Sequence, residues 1–413
     1  MNSFITRQLN QIKEEGLEAI WRKLKTVSRR FIIFLLTLLA IPFVIIIRLI
    51  KPWYWIRFGW FFATKIGHFT FDVEYYLTEK IMGLHPGKAT DIFFYRWGKP
   101  ANTFFTKLTE RHLFVRSWAE PLFFANDWLP GGDQHKILPA IATRHSRDVE
   151  GLLRKVGAQL EFNNEENLVA HSFLKSIGMA NEKFVCLFVR DPKYLPRVSY
   201  HNYRDTDIDT YEEAALALAE KGYWVFRMGK IVEKPFSAKH PQILDYANTP
   251  HRSDFLDIWL MANCFFCITT GTGLDEVARI FRRKSVYVNY SHVFGMITDT
   301  ECITFFKHLI WQETNNKLTL SENLLHSYNF TEEYKNKGIK IVDLSQVEIK
   351  QAVLEMEARL SGTWRDLEED QYLQDRFWRI FRSHKDIHKY HGKIHPEARV
   401  GAHYLRNNPE WLN

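Results

Sequence analysis

Between residues 184 and 290 the sequence swings repeatedly from short apolar runs to amphipathic segments, and few folds tolerate that rhythm. FVCLFVR (184–190) reads as a strand and TYEEAALALAEKG (210–222) as a helix stopped by Gly222. YWVFRMG (223–229) is the next strand, and SDFLDIWLMAN (253–263) a helix with Ser253 as N-cap. CFFCITT (264–270), GLDEVARIF (273–281) and SVYVNY (285–290) continue as strand, helix and strand. Strands separated by helices must pair in parallel, which predicts a doubly wound α/β domain. QVEIKQAVLEMEARL (346–360) and the segment 371–381 read as further helices. A chain of 413 residues exceeds one ordinary core. A second Rossmann-like α/β domain is therefore expected over 61–178, where KIGHFTFDVEYYL (65–77) precedes turn-rich, aromatic stretches such as WLPGGDQ.

In open parallel sheets ligands bind outside the carboxyl ends of the strands. Arg190 closes the first strand, Arg227 and Gly229 the second, Thr269, Thr270 and Gly271 the third, and Asn289 the last. Two guanidinium groups facing a Thr/Gly turn make an anion site. The turn, 269–273 (TTGTG), would add backbone N–H groups at the start of helix 273–281, where the dipole favours phosphate. Singly, each piece has a plainer reading: Arg190 paired with Asp191, Arg227 with another carboxylate, TTGTG as a tight turn. TTGTG has neither the P-loop nor the G-x-G-x-x-G spacing. Convergence on successive strand ends favours the anion site.

Charge is unevenly distributed. Residues 1–60 hold ten Lys/Arg and three Asp/Glu, and the remainder is neutral. A neutral body argues against nucleic acid as a partner. The run 31–47 (FIIFLLTLLAIPFVIII) is uncharged, and at 17 residues it is at the short limit for a bilayer span. WRKLKTVSRR precedes it. Arg48, Lys51 and Arg57 follow it, with Trp53, Tyr54 and Trp55 as an interfacial belt. Upstream, Ile5, Leu9, Ile12, Ile20 and Leu24 recur at helical spacing, as in an in-plane amphipathic helix. Residues 1–60 are thus expected to be a membrane anchor. Pro42 would bend a re-entrant or monotopic helix and keep both ends on one side. The alternative is a straight single-pass span. Cys264 and Cys267 form a CxxC inside an apolar run without a second pair, and read as buried core thiols; no metal site is expected.

RDPKYL (190–195), YRDTDIDTY (203–211), RMG (227–229), LDYA (244–247), SDFLDIWLMANCFFCITTGTGL (253–274) and RVGAHYLRNNPEWL (399–412) resemble a family of bacterial glycosyltransferases encoded among surface-polysaccharide genes. More distantly, they resemble O-fucosyltransferase-like enzymes of the GT-B fold. The likeness covers most of the chain after about residue 60. It implies an acceptor-side domain at 61–178 and a nucleotide-sugar-binding domain at 179–345, with C-terminal helices at 346–413 packing back on the former. It implies a nucleotide-sugar donor, no other cofactor and no obligatory metal, and a lipid-linked or glycan acceptor such as a glycolipid or lipopolysaccharide. Such an enzyme would sit on the cytoplasmic face of the inner membrane. Thr270 and Thr272 stand where the family often has Ser; both keep a hydroxyl.

On this reading Arg190 and Arg227 hold the diphosphate, with Arg190 also steadying the charge that builds on the leaving group. Gly229, Thr270, Gly271, Thr272 and Gly273 line the donor site. Glu276 contacts a ribose or sugar hydroxyl, or else serves the helix dipole. An inverting transfer needs a base, for which His68, Asp72 and Glu74 in IGHFTFDVE are the candidates, with Gly67 turning His68 into the cleft after a strand. The alternative for His68 and Asp72 is a core or capping role. Two other classes fit the same residues: a non-catalytic phospho-ligand-binding or assembly module of polysaccharide synthesis, and a phosphoglycosyl transferase.

Overall fold

The computed structural model describes residues 2–194 and 199–413, without the side chains of 2–15, 18, 19, 22 and 199. Ile5, Leu9, Ile12 and the last residue of RDPKYL therefore lie outside the described residues. The chain divides into two compact units. The first comprises Met1–Phe61, His85–Gly98 and Leu113–Pro139; the second comprises Phe62–Leu84, Lys99–His112 and Ala140–Asn413. Residues 61–178, expected as one domain, contribute to both.

The first unit is built on three parallel strands, β1 (Trp55–Phe61), β2 (Ala89–Tyr95) and β3 (Lys136–Ile137), in the order β2-β1-β3. Its N-terminal helix, Asn2–Leu49, has non-helical dihedrals at Gly16 (φ 59°, ψ −136°). Glycine adopts that backbone cheaply, whereas Pro42 keeps helical dihedrals. Lys23–Leu49 is long and apolar enough to cross a membrane. One stripe of it packs on the helix Ala119–Trp128: Ala40 and Val44 meet Ala125, flanked by Ile41, Leu122 and Leu129, and Phe34 lies 5.8 Å from the Trp128 ring. Arg29 donates to Glu120 at 2.9 Å. Arg48 donates to Asn126 Oδ1 and to the carbonyls of Asn126, Leu129 and Pro130 at 2.7–3.0 Å. The opposite stripe is bare: Phe31, Leu39 and Phe43 are 60–68% exposed.

The second unit holds the larger sheet. Its strands are β4 (Phe184–Phe188), β5 (Trp224–Arg227), β6 (Ile243–Leu244), β7 (Phe266–Thr269), β8 (Lys284–Tyr290), β9 (Cys302–Phe306) and, after the separate antiparallel pair β10 (His308–Trp311) and β11 (Ile339–Val342), β12 (Ala398–Val400). The order is β12-β9-β8-β7-β4-β5-β6, all parallel. Each expected strand between 184 and 290 is present, with its helices at Glu212–Glu220, Asp254–Asn263 and Asp275–Ile280. Ser253 caps the second by accepting from Leu256 N. Both faces are apolar and covered, as parallel pairing requires. The helices Gln346–Ser361 and Glu368–Arg382 pack on this sheet through Ile349, Val353, Phe377 and Phe381. Lys393 N donates to Val149 O at 2.9 Å, tying the C-terminal stretch to residues 140–157. All four cysteines are free and buried.

Candidate active site at the sheet switch point

The strand order reverses direction between β4 and β7: β5 and β6 extend one way, β8 and β9 the other. Connections leaving a reversal point diverge to opposite faces and open a crevice at the carboxyl ends. A cavity of about 510 Å³ lies there, within the second unit. Phe188, Val189 and Arg190 enter it after β4, Gly229 and Lys230 after β5, and Gly271, Thr272 and Gly273 after β7. The helix Ile66–Ile81 adds Ile66, Gly67 and His68.

One wall is cationic. Arg190 Nε is bonded to Asp205 at 2.8 Å, and its two terminal nitrogens have no partner among the described residues. Arg204 folds back through the 3-10 turn Ser199–Arg204 to donate to the Gly271 carbonyl, and its other side-chain nitrogens have no partner among the described residues. Lys65, just before the helix, has no carboxylate partner among the described residues. Burial depresses the basicity of Lys65 and Arg190, and the field of Arg190 on Lys65 and of Arg204 on Arg190 adds to it. His201 is lowered by the same burial and the same cations. Three cations that disfavour one another around one cavity call for an anion to relieve them.

The turn opposite is partly self-satisfied. Thr269 Oγ accepts from Gly271 N at 3.0 Å and donates to Asp275 at 3.3 Å. Thr270 Oγ accepts from Arg190 N at 3.0 Å, which fixes the end of β4 against the end of β7. Thr272 and Gly273 keep N–H groups without a partner among the described residues. The helix that follows is only six residues long, with Asp275 and Glu276 in its first turn. Burial, then the neighbouring charge of Glu276, pushes Asp275 up to about 7.

The base candidates fall on one helix face. His68 lines the cavity, stacked on Phe62 at 5.7 Å, and its Nδ1 lies 3.0 Å from Ser146 Oγ. Ser146 Oγ in turn donates to Asp72 Oδ1 at 3.3 Å. Burial, then the charges of Lys65, His145 and Arg204, bring His68 down to about 4; burial brings Asp72 up to about 8. His68 is thus a neutral imidazole at neutral pH.

Several expectations change in detail. His68 does not follow a strand: it sits in the first turn of a helix, and Gly67 supplies close approach rather than a turn. A Cβ on Gly67 would lie 3.0 Å from Gly273 Cα. Arg227 does not reach the cavity. It is 1% exposed, bonded to Asp245 at 3.2 Å and facing Asp191 at 3.7 Å, so its charge is spent behind the wall. Asp72 is buried beneath His68, Thr270 stands behind the wall, and Glu74 is buried on Arg282 at 2.8 Å. Glu276 lines the cavity but is held by Arg279 at 2.7 Å. Arg190, Gly229, Gly271, Thr272, Gly273 and His68 are brought together as expected. Lys65, Arg204 and Ser146 went unassigned in the sequence. Arg204 lies inside the quoted YRDTDIDTY, whereas Ser146 carries no local signal.

No protein-family model matches this sequence, and no curated protein does. Among solved structures it is similar to a glycosyl transferase family 9 protein from Veillonella parvula DSM 2008, at 11% identity over 74% of this chain and 97% of that one, with a TM-score of 0.46. It is also similar to the ADP-heptose lps heptosyltransferase II of E. coli, at 14% identity over 60% of this chain and 90% of that one (TM-score 0.35). Similarity to E. coli heptosyltransferase WaaC with ADP is weaker still, at 12% identity over 60% and 90% of the two chains (TM-score 0.30). With every TM-score below 0.5, the chemistry of this site has to be read from its own residues.

Proposed function

We propose that the protein is a glycosyltransferase of GT-B type, which moves a sugar from a nucleotide-sugar donor to a lipid-linked or surface-glycan acceptor. The observation that carries this is the cavity at the switch point, where Lys65, Arg190 and Arg204 face it without neutralising partners at their free nitrogens and His68 adjoins them. The diphosphate would sit on these cations and on the N–H groups of Thr272 and Gly273. The acceptor oxygen would attack the anomeric carbon as the bond from that carbon to phosphate breaks. Its proton passes to His68, and the departing electron pair settles on the diphosphate, where fixed cations stabilise it most in the transition state. A bound diphosphate also reverses the local field at His68 and raises its basicity. Because protein cations serve the leaving group, transfer should persist in EDTA.

Thermal stabilisation against UDP-, GDP-, dTDP- and CMP-sugars and their free nucleotides tests the reading. Stabilisation by one nucleotide family, with release of that nucleotide on turnover, is expected. Indifference to all of them would sink it. The His68–Ser146–Asp72 chain favours an enzyme over a binding module. Release of nucleoside diphosphate rather than monophosphate would disfavour a phosphoglycosyl transferase for UDP, GDP and dTDP donors.

The N-terminal helix is read as a monotopic anchor on the cytoplasmic face of the inner membrane, where such donors are made. Arg29 and Arg48 are about 28 Å apart along the helix, yet both are tied to the stretch Glu120–Pro130, whose helix of ten residues is about 15 Å long. A crossing helix would drag Glu120, Asn126 and Asp127 through a hydrocarbon core of about 30 Å. Lying flat, it buries Phe31, Leu39 and Phe43 in one leaflet and keeps Lys23, Lys25 and Arg30 at anionic headgroups.

A further inference from the structure

We propose that Ser146 is a positioning residue that holds His68 in its Nδ1–H tautomer and so turns the Nε2 lone pair towards the cavity. The inference rests on the transfer reading only for the use made of that lone pair.

A serine hydroxyl has one hydrogen to give. The ionised Asp72 can only accept, and its Oδ1 takes a hydrogen from Ile141 N at 3.0 Å. With Asp72 ionised, the one Ser146 hydrogen goes to Oδ1 across 3.3 Å. What Ser146 offers His68 is a lone pair, so Nδ1 at 3.0 Å must be the donor. A neutral ring with its hydrogen on Nδ1 carries its lone pair on Nε2. An unconstrained imidazole prefers the opposite tautomer, so the site imposes this one.

The backbone agrees. His145 and Ser146 are consecutive non-glycine residues at φ 54° and 56°. Left-handed backbone is disfavoured for any residue that carries a Cβ. Strain of this kind persists where surrounding contacts hold it, and it concentrates at functional sites. Here Ser146 N donates to Ala140 O at 3.2 Å, and the Ser146 side chain is buried between the two residues it links. His68 and Asp72 are four residues apart on one helix, so both face the same strained turn.

The test needs no substrate. Full-length protein labelled with ¹⁵N-histidine is observed by long-range ¹⁵N–¹H correlation above pH 8, where Asp72 is ionised, with His68→Gln identifying the resonances. The expected wild-type pattern is a pyrrole-type Nδ1 and a pyridine-type Nε2. Ser146→Ala should reverse the pattern towards Nε2–H, and Ser146→Thr should restore it. An Nε2–H ring in the wild type would overturn the proposal, as would an unchanged ring in folded Ser146→Ala. If the alanine variant does not fold, the wild-type and threonine spectra still decide. A wrong tautomer leaves the anion site standing, whereas failure of nucleotides to bind leaves the tautomer measurement intact.

Discussion

Arg190 and Arg227 occupy equivalent places at two successive strand ends, yet the fold gives them different work. Arg190→Ala and Arg204→Ala remove charge-assisted contacts and should each weaken nucleotide-diphosphate binding by about 1.5–3 kcal/mol, read by calorimetric titration, with little change in fold. Arg227→Ala strands Asp191 and Asp245 and should instead lower stability by about 3–5 kcal/mol in chemical denaturation. Asp72 gives a pH signature. Its folded pKa is raised from 3.8 to about 8, so its contribution is full below pH 4 and is lost as pH rises towards 8. His68, lowered to about 4, runs the other way, losing its contribution as pH falls from 6.5. Asp72→Asn should therefore stabilise the protein most at pH 8 and above, flattening the melting temperature against pH. Strand-end arginines are legible in a sequence because their place follows from the alternation. Whether a guanidinium faces a cavity or a buried carboxylate depends on Asp191 and Asp245, which no periodicity locates.

At the scale of elements, the helix Ile66–Ile81 is the instructive failure. Every residue from Phe69 to Thr78 is buried, so no polar stripe reveals a period of 3.6. The segment reads as aromatic and irregular until neighbours are known. β6 and β12 have two and three residues and leave no pattern to find. The strands β4, β5, β7 and β8 were legible because continuous burial on both faces leaves continuous apolar runs. The turn after β7 admits a direct test. Gly271 has φ +77°, and a Cβ there would collide with the Tyr290 ring. Gly271→Ala should cost about 2–4 kcal/mol through crowding and left-handed strain together, measured by denaturant unfolding.

On the scale of the whole molecule, the two units have different surfaces. The bare stripe of the N-terminal helix, with Trp53 84% exposed beside it, belongs to the first. Leu39→Glu with Phe43→Glu should abolish flotation with anionic liposomes while leaving nucleotide binding unchanged. Single cysteines at positions 5 and 85 should both resist an impermeant reagent on intact cells; labelling of 85 alone would mean that the helix crosses. The charge excess and apolar run made an anchor legible in the sequence. The flat posture proposed for it was not, because that reading rests on Arg29 and Arg48 finding partners some 80–90 residues away.

The chain passes between the two units five times before residue 140 and then not again. Arg190, Arg204 and the 271–273 turn, the greater part of the proposed phosphate site, are encoded after that point, whereas Lys65 and His68 are encoded before it. A recombination that joined the last two thirds of this gene to a foreign start would inherit a donor grip and import someone else's base. On the proposed reading, donor preference can evolve with the end of the gene, whereas acceptor activation draws on both parts, since His68 is encoded before residue 140 and Ser146 after it.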